Sequence, residues 1–156
     1  MFQSYYLALL AEAYGKAGLA EEGLAALAEA LTVVDKSGER FYEAELHRLR
    51  GELTLAQSRV QRLESSVQKE AEEYFHKAIE IARKQQAKSL ELRAAMSLVR
   101  LRQQQAAQPE SRITQHETRA KLDEAHQMLS DVYHWFTEGF DTKDLQEAKT
   151  LLDELA

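Results

Sequence analysis

The chain has 156 residues, 44% of them hydrophobic, about one domain with enough apolar material to bury a core. Its net charge of −6 argues against a nucleic-acid module, whose affinity rests mostly on neutralising phosphates. The absence of cysteine excludes a disulfide framework and a thiolate metal site.

One proline and six glycines interrupt a sequence dominated by Ala, Leu, Glu, Gln, Lys and Arg, all good helix formers. Alternating β-branched runs are absent, so the expected class is all-α. No apolar run approaches the roughly 18 residues of a membrane span. Met1-Phe2-Gln3-Ser4 leads into a helix without a basic start or cleavage site. These features predict a cytoplasmic protein that binds neither nucleic acid nor membrane.

The first helix is predicted over about 2–16, with Leu7, Leu10, Ala11 and Tyr14 as one apolar stripe. Gly18 ends it, since glycine enters the left-handed region cheaply. A second helix follows to about Lys36, with Gly23, Leu27 and Ala30 as small, bulky and small positions, and Ser37-Gly38 closes the hairpin. Phe2, Tyr5, Tyr6, Leu7, Leu9 and Leu10 make the first helix apolar nearly all round. Two readings stay open: a surface that a neighbour or a second copy covers, giving weak homo-oligomers, or two tyrosines straddling a groove edge.

The third helix is predicted to begin near Glu39 and to pass through Gly51, where a missing side chain lets another helix approach closely. It runs on through Leu63. Ser65 with Gln68 forms a capping-box pattern opening the fourth helix, which ends near Gln86. That helix carries Ala71, Phe75 and Ala78, a small–aromatic–small stripe on one face. The fifth helix spans about 89–105 with Leu92, Ala95, Leu98, Val99 and Leu101 as its apolar side, and Pro109 interrupts the chain beyond it. The sixth carries Ala125, Leu129 and Val132. Tyr133, Trp135, Phe136 and Phe140 then suggest a core between the last pair and a cap. Asp141 is the expected N-cap of a seventh helix over about 141–155, with Leu145, Ala148, Leu151 and Leu152 on one face and charge on the other.

The small–aromatic–small spacing resembles the second helix of a tetratricopeptide repeat (TPR). YLALLAEAYGKAG (6–18), GERFYEAELHRLRGEL (38–53), RKQQAKSLELRAAMSL (83–98) and WFTEGFDTKDLQEAKTLLDEL (135–155) resemble the C-terminal repeat region of large bacterial ATPase-containing signalling proteins, among them adenylate or guanylate cyclases and transcriptional regulators. The resemblance implies a single TPR-like right-handed superhelix of three helix pairs, at about 2–37, 39–86 and 89–138, plus a capping helix at 141–155. It also implies catalytic or ATPase domains outside this chain. Two departures stand out. Arg102 replaces an expected aromatic residue, and a proline-broken insertion at about 106–119 replaces the short Gly-containing turn expected after Gln105. Against the standard repeat, an insertion at about 57–68 also lengthens the second unit.

Motifs for catalysis are missing: there is no Walker-type phosphate loop, Gly-x-Ser-x-Gly elbow or His-Glu-x-x-His. Glu73-x-x-His76 and Asp123-x-x-His126 have the spacing of a carboxylate-bridged helical metal site, the enzymatic alternative. The expectation is instead no catalytic residue, metal or cofactor, with His47, His116 and His134 at the surface or its boundary. Projecting the repeat phase puts Tyr5, Glu12 and Lys16 from the first unit in a concave groove. Glu45, Arg48 and Glu52 join from the second, and Arg93, Ser97 and Arg100 from the third. These nine residues would meet a peptide or partner helix, in a protein-interaction or regulatory role. Glu45, Arg48 and Glu52 fit ordinary i,i+3 and i,i+4 surface pairs equally well. On the binding reading, Arg48→Glu or Arg93→Glu should abolish partner binding and leave folding intact.

Overall fold

The computed structural model describes residues 2–61, 65–108 and 112–155. They form seven α-helices: α1 (Gln3–Lys16), α2 (Ala20–Ser37), α3 (Glu43–Gln61), α4 (Ser65–Lys84), α5 (Lys88–Ala106), α6 (Arg112–Tyr133) and α7 (Lys143–Leu155). No strand occurs among the described residues, so the fold is all-α. Among them, no helix is long and apolar enough to cross a membrane.

Each helix packs on the next, and α1, α3, α5 and α7 also touch one another in series. Helices α2, α4 and α6 make no such contact with one another among the described residues. The odd helices thus form one continuous layer, and each even helix packs on its odd neighbours. Two apolar cores fill the space between the layers. One joins α1, α2 and α3 through Ala8, Ala11, Leu27, Ala30, Leu46 and Leu53. The other joins α4 to α7 through Phe75, Leu92, Leu98, Leu129, Leu145 and Ala148.

Helix α3 links the two cores through glycine. A Cβ placed on Gly51 would lie 2.5 Å from the ring of Phe75, which is fully buried. The close approach expected at Gly51 is therefore real, and Phe75 from the small–aromatic–small stripe is what fills it. Ala71 and Ala78 flank that ring, both fully buried. On the other side of α3, Leu53 occupies the space left by Gly15 and Gly23, where added Cβ atoms would each sit 2.7 Å from its methyl groups.

That crowding changes the phase of α1. Its buried residues are Ser4, Ala8 and Ala11, whereas Leu10 is exposed and Leu7 and Tyr14 are half-buried. Only small side chains fit where α1 crosses Leu53, so the bulky ones turn outward. Helix α3 begins at Glu43 rather than near Glu39, because a turn closed by the Glu43 N–H donating to the Arg40 carbonyl (3.1 Å) precedes it. Helix α7 is opened by Thr142 rather than Asp141. The Thr142 carbonyl accepts the first helical bond from Gln146 (3.0 Å), and its hydroxyl donates to the Gly139 carbonyl (2.7 Å). Much of both insertions is helix, since α3 reaches Gln61, α4 starts at Ser65 and α6 starts at Arg112. Pro109 lies outside the described residues.

Arg102 is buried where an aromatic residue was expected. Its guanidinium grips Glu72 on α4 with two bonds of 2.6 and 3.0 Å, and one also reaches Gln105. Burial works against the Glu72 carboxylate, yet the Arg102 bonds prevail and hold its pKa below the usual range. A bidentate pair thus takes the place of an aromatic contact between α4 and α5.

Candidate functional site

The odd-helix layer carries a row of charged side chains whose centre is an ion-pair network. Glu45 on α3 is 1% exposed and holds two arginines. Arg48, one turn on, donates to both its oxygens at 2.6 and 2.9 Å. Arg93 on α5 reaches it at 2.9 Å and continues to Asp144 on α7 at 3.4 Å. Ser97 on α5 donates to Glu52 (2.7 Å) and accepts from Arg48 (3.3 Å). Arg48 also lies 3.5 Å from Glu52. Burial alone would favour loss of charge at Arg48, but the Glu45 bonds outweigh it and raise its pKa further. The same balance, set by Glu45 and Asp144, raises the pKa of Arg93.

This geometry unites five of the nine predicted groove residues, Glu45, Arg48, Glu52, Arg93 and Ser97, with Asp144 of α7, and several are more deeply placed than a groove position implies. Glu45 and Ser97 are buried, and Arg48 is nearly so. Each already has an intramolecular partner, and Arg48 also borders the cleft between α1 and α3. The i,i+3 pair Glu45–Arg48 and the i,i+4 pair Arg48–Glu52 are both present, but Glu45 is buried, and Arg93 and Ser97 extend the pairs from α3 to α5. Arg48→Glu would place a third carboxylate between Glu45 and Glu52 and would disrupt folding, so it is not a neutral probe of binding.

Two clefts flank the network. Between α1 and α3, Glu12, Lys16, Arg48, Glu52, Leu53 and Ala56 line a space of about 260 Å³. Lys16 pairs there with Glu12 at 3.2 Å and is 72% exposed. Between α5 and α7, Arg100, Lys143, Gln146, Glu147, Thr150 and Glu154 line a space of about 460 Å³. Arg100 meets Glu147 at 3.2 Å, with Lys143 at 3.7 Å. Tyr5 lies apart from both clefts, its ring against Tyr42 at 5.2 Å. Burial first and the Glu45 carboxylate second raise the Tyr42 pKa, which keeps its hydroxyl protonated beside Arg93.

Asp144 and Glu147 were missed as members of this face. Asp144 fits the first turn of a capping helix and Glu147 its charged face, but α7 continues the odd series and both carboxylates pair with arginines of α5, Arg93 and Arg100.

The other sequence candidates sit elsewhere. Glu73, His76 and Asp123 are exposed, His76 lies 3.7 Å from Glu72, and Asp123 lies 3.4 Å from Arg119. His126 Nε2 lies 3.4 Å from the Leu152 carbonyl. Among the described residues, no group of three or more His, Asp or Glu could hold a metal ion. His47 is buried rather than at the surface, stacked on Tyr74 of α4 with ring centroids 6.5 Å apart. The aromatic cluster beyond α6 is only partly core. Tyr133 and Phe136 pack on it, but Trp135 and Phe140 are exposed, because Leu145, Ala148 and Leu151 of α7 already fill that interface.

No family model, curated protein or solved structure matches this chain.

Proposed function

We propose that the chain is a TPR-like superhelical module that binds a peptide or partner helix along its odd-helix face, as a non-catalytic interaction or regulatory part of a larger bacterial signalling protein. The observation that carries this reading is the arrangement of charge on that face. A self-paired charge network welds α3, α5 and α7, and open clefts lined by both charged and apolar groups lie beside it. Support for the superhelix comes from odd helices that touch in series while even helices stay apart, since inner-layer contact with outer-layer separation curves a stack. The network is rigid scaffolding in this reading, and the clefts supply the contacts. Their exposed, salt-bridged Lys16, Lys143 and Arg100 can exchange an internal carboxylate for one on a ligand at small cost, because exposed pairs are worth about 1 kcal/mol or less.

A displayed random-peptide library selected on the whole chain tests this. Selected peptides should bind about tenfold or more weakly to Lys16→Glu or Arg100→Glu. Both variants should melt at the wild-type temperature. Peptides that bind the two variants as well as wild type would overturn the assignment of this face.

A further inference from the structure

A second surface lies on the opposite side of α1 from its buried face. Phe2, Tyr6, Leu9, Leu10 and Ala13 follow one another at spacings of four, three, one and three, a straight apolar stripe over three helical turns. Phe2, Tyr6, Leu9 and Leu10 are 50, 65, 41 and 44% exposed. Phe41, from the connector before α3, extends the stripe: its ring meets Phe2 edge-on at 5.9 Å and is 47% exposed. Below the surface the rings continue from Phe41 to Tyr42, Tyr5 and Tyr6 at centroid separations of 5.2 to 6.0 Å. Five of the eight large hydrophobic residues that are exposed among the described residues thus belong to one ridge.

The charge around this ridge selects its occupant. The first hairpin holds Glu12, Glu21, Glu22, Glu29 and Asp35 against Lys16 and Lys36, and Arg40, next to Phe41, is paired with Asp35 at 3.6 Å and Glu43 at 3.0 Å. Of these, Lys16 is engaged by Glu12, and Glu21, Glu22 and Glu29 are exposed. We infer that this ridge docks a basic amphipathic helix of a partner protein, its apolar stripe on Phe2, Tyr6, Leu9 and Leu10 and its flanking Lys or Arg residues against the α2 glutamates. The three-turn stripe matches the ridge of another helix. The open faces of Tyr6, Phe2 and Phe41 accept cations as well as apolar groups. A second copy of this chain fits poorly, because pairing the ridges would bring two acidic hairpins together. An anionic lipid surface is disfavoured by the same charge.

The test uses the whole chain with a synthetic leucine–lysine amphipathic helix and its leucine–glutamate counterpart as probes, read by titration calorimetry and sedimentation. The leucine–lysine peptide should bind one to one, more weakly as salt rises from about 0.05 to 0.5 M. Binding should weaken at least about tenfold in Tyr6→Glu and in Leu9→Glu. Both substitutions are at exposed positions and should leave the circular dichroism and melting temperature unchanged. Arg100→Glu, in the α5–α7 cleft, should leave this binding intact, which separates the ridge from the face proposed above. Three outcomes would overturn the inference: equal binding of the leucine–glutamate peptide, leucine–lysine binding indifferent to Tyr6→Glu and Leu9→Glu, or a wild-type dimer that Tyr6→Glu dissociates. The last would assign the ridge to a second copy.

Discussion

Glu45 of α3 and Arg93 of α5 meet at 2.9 Å, with the Glu45 side chain 1% exposed and that of Arg93 26% exposed. Arg48 and Arg93 both bond this deeply placed carboxylate, which offsets the cost of burying it. Removing it takes the closest carboxylate from both guanidinium groups, leaving Arg48 with Glu52 at 3.5 Å and the Ser97 hydroxyl at 3.3 Å, and Arg93 with Asp144 at 3.4 Å. Glu45→Ala should therefore destabilise the chain by about 3 kcal/mol, read as a lower urea midpoint at an unchanged slope. A double-mutant cycle with Arg93→Ala should show coupling of about 1–3 kcal/mol. Strict additivity would mean that the two side chains do not interact in solution.

Gly51 is the second point at which one side chain decides a helix contact. Alanine there would gain about 1 kcal/mol of helix propensity. Against that, its Cβ would come within 2.5–3.0 Å of three Phe75 ring atoms, and a fully buried ring has nowhere to move. Overpacking of this kind costs about 1–3 kcal/mol. Gly51→Ala should thus be net destabilising. Combining it with Phe75→Leu should cost less than the two single changes together, because the smaller side chain frees the space. A Gly51→Ala protein more stable than wild type would rule out the close approach.

Both relationships were only half legible in the sequence, for physical reasons. The α4 stripe of Ala71, Phe75 and Ala78 was clear because Glu73, His76, Glu80 and Lys84 make the opposite side of that helix polar, so its apolar phase is unambiguous. In α1 nearly every side is apolar, so periodicity could not tell that Ser4, Ala8 and Ala11 face inward while Leu10 faces water. What settles the phase is Leu53, which lies on another helix. The positions of Glu45, Arg48, Arg93 and Ser97 on one face followed from repeat spacing. Their burial did not, because it depends on pairing across a sequence gap of more than forty residues and on Asp144 in a helix read as a cap. Arg102 looked like a departure from a repeat pattern, and only the position of Glu72 on α4 explains it.

Exposed and buried aromatics should separate sharply in mutational cost. Phe75→Ala removes a ring from the centre of the second core and should cost about 3–5 kcal/mol. Tyr6→Ser removes a side chain that is 65% exposed, and its effect should fall within about 0.5 kcal/mol of zero. Melting curves of the two variants check this directly. A large loss in Tyr6→Ser would place that ring in the monomer's own core instead of on its surface.

His47 makes stability depend on pH in a defined window. Burial first and Lys77 second lower its pKa to about 4, with Arg50 acting the same way and Glu43 opposing them. Its Nδ1 has no hydrogen-bond partner, and its Nε2 is 3.9 Å from Glu43, so nothing nearby stabilises a second proton well. The unfolded chain takes up that proton near pH 6.5, and the folded chain does so only near pH 4. Between those values the unfolded state binds more protons, so stability falls as pH drops. At about 1.4 kcal/mol per unit, the whole window contributes a loss of about 3 kcal/mol. Glu72, whose pKa is depressed, contributes stability that is lost only below the usual carboxylate range, so the two effects occupy different parts of the acid limb. His47→Leu should flatten the stability profile between pH 6.5 and 4 while leaving the steeper fall at lower pH. Urea titrations across that range read the slope, and an unchanged slope in His47→Leu would mean that this imidazole does not titrate as its burial dictates.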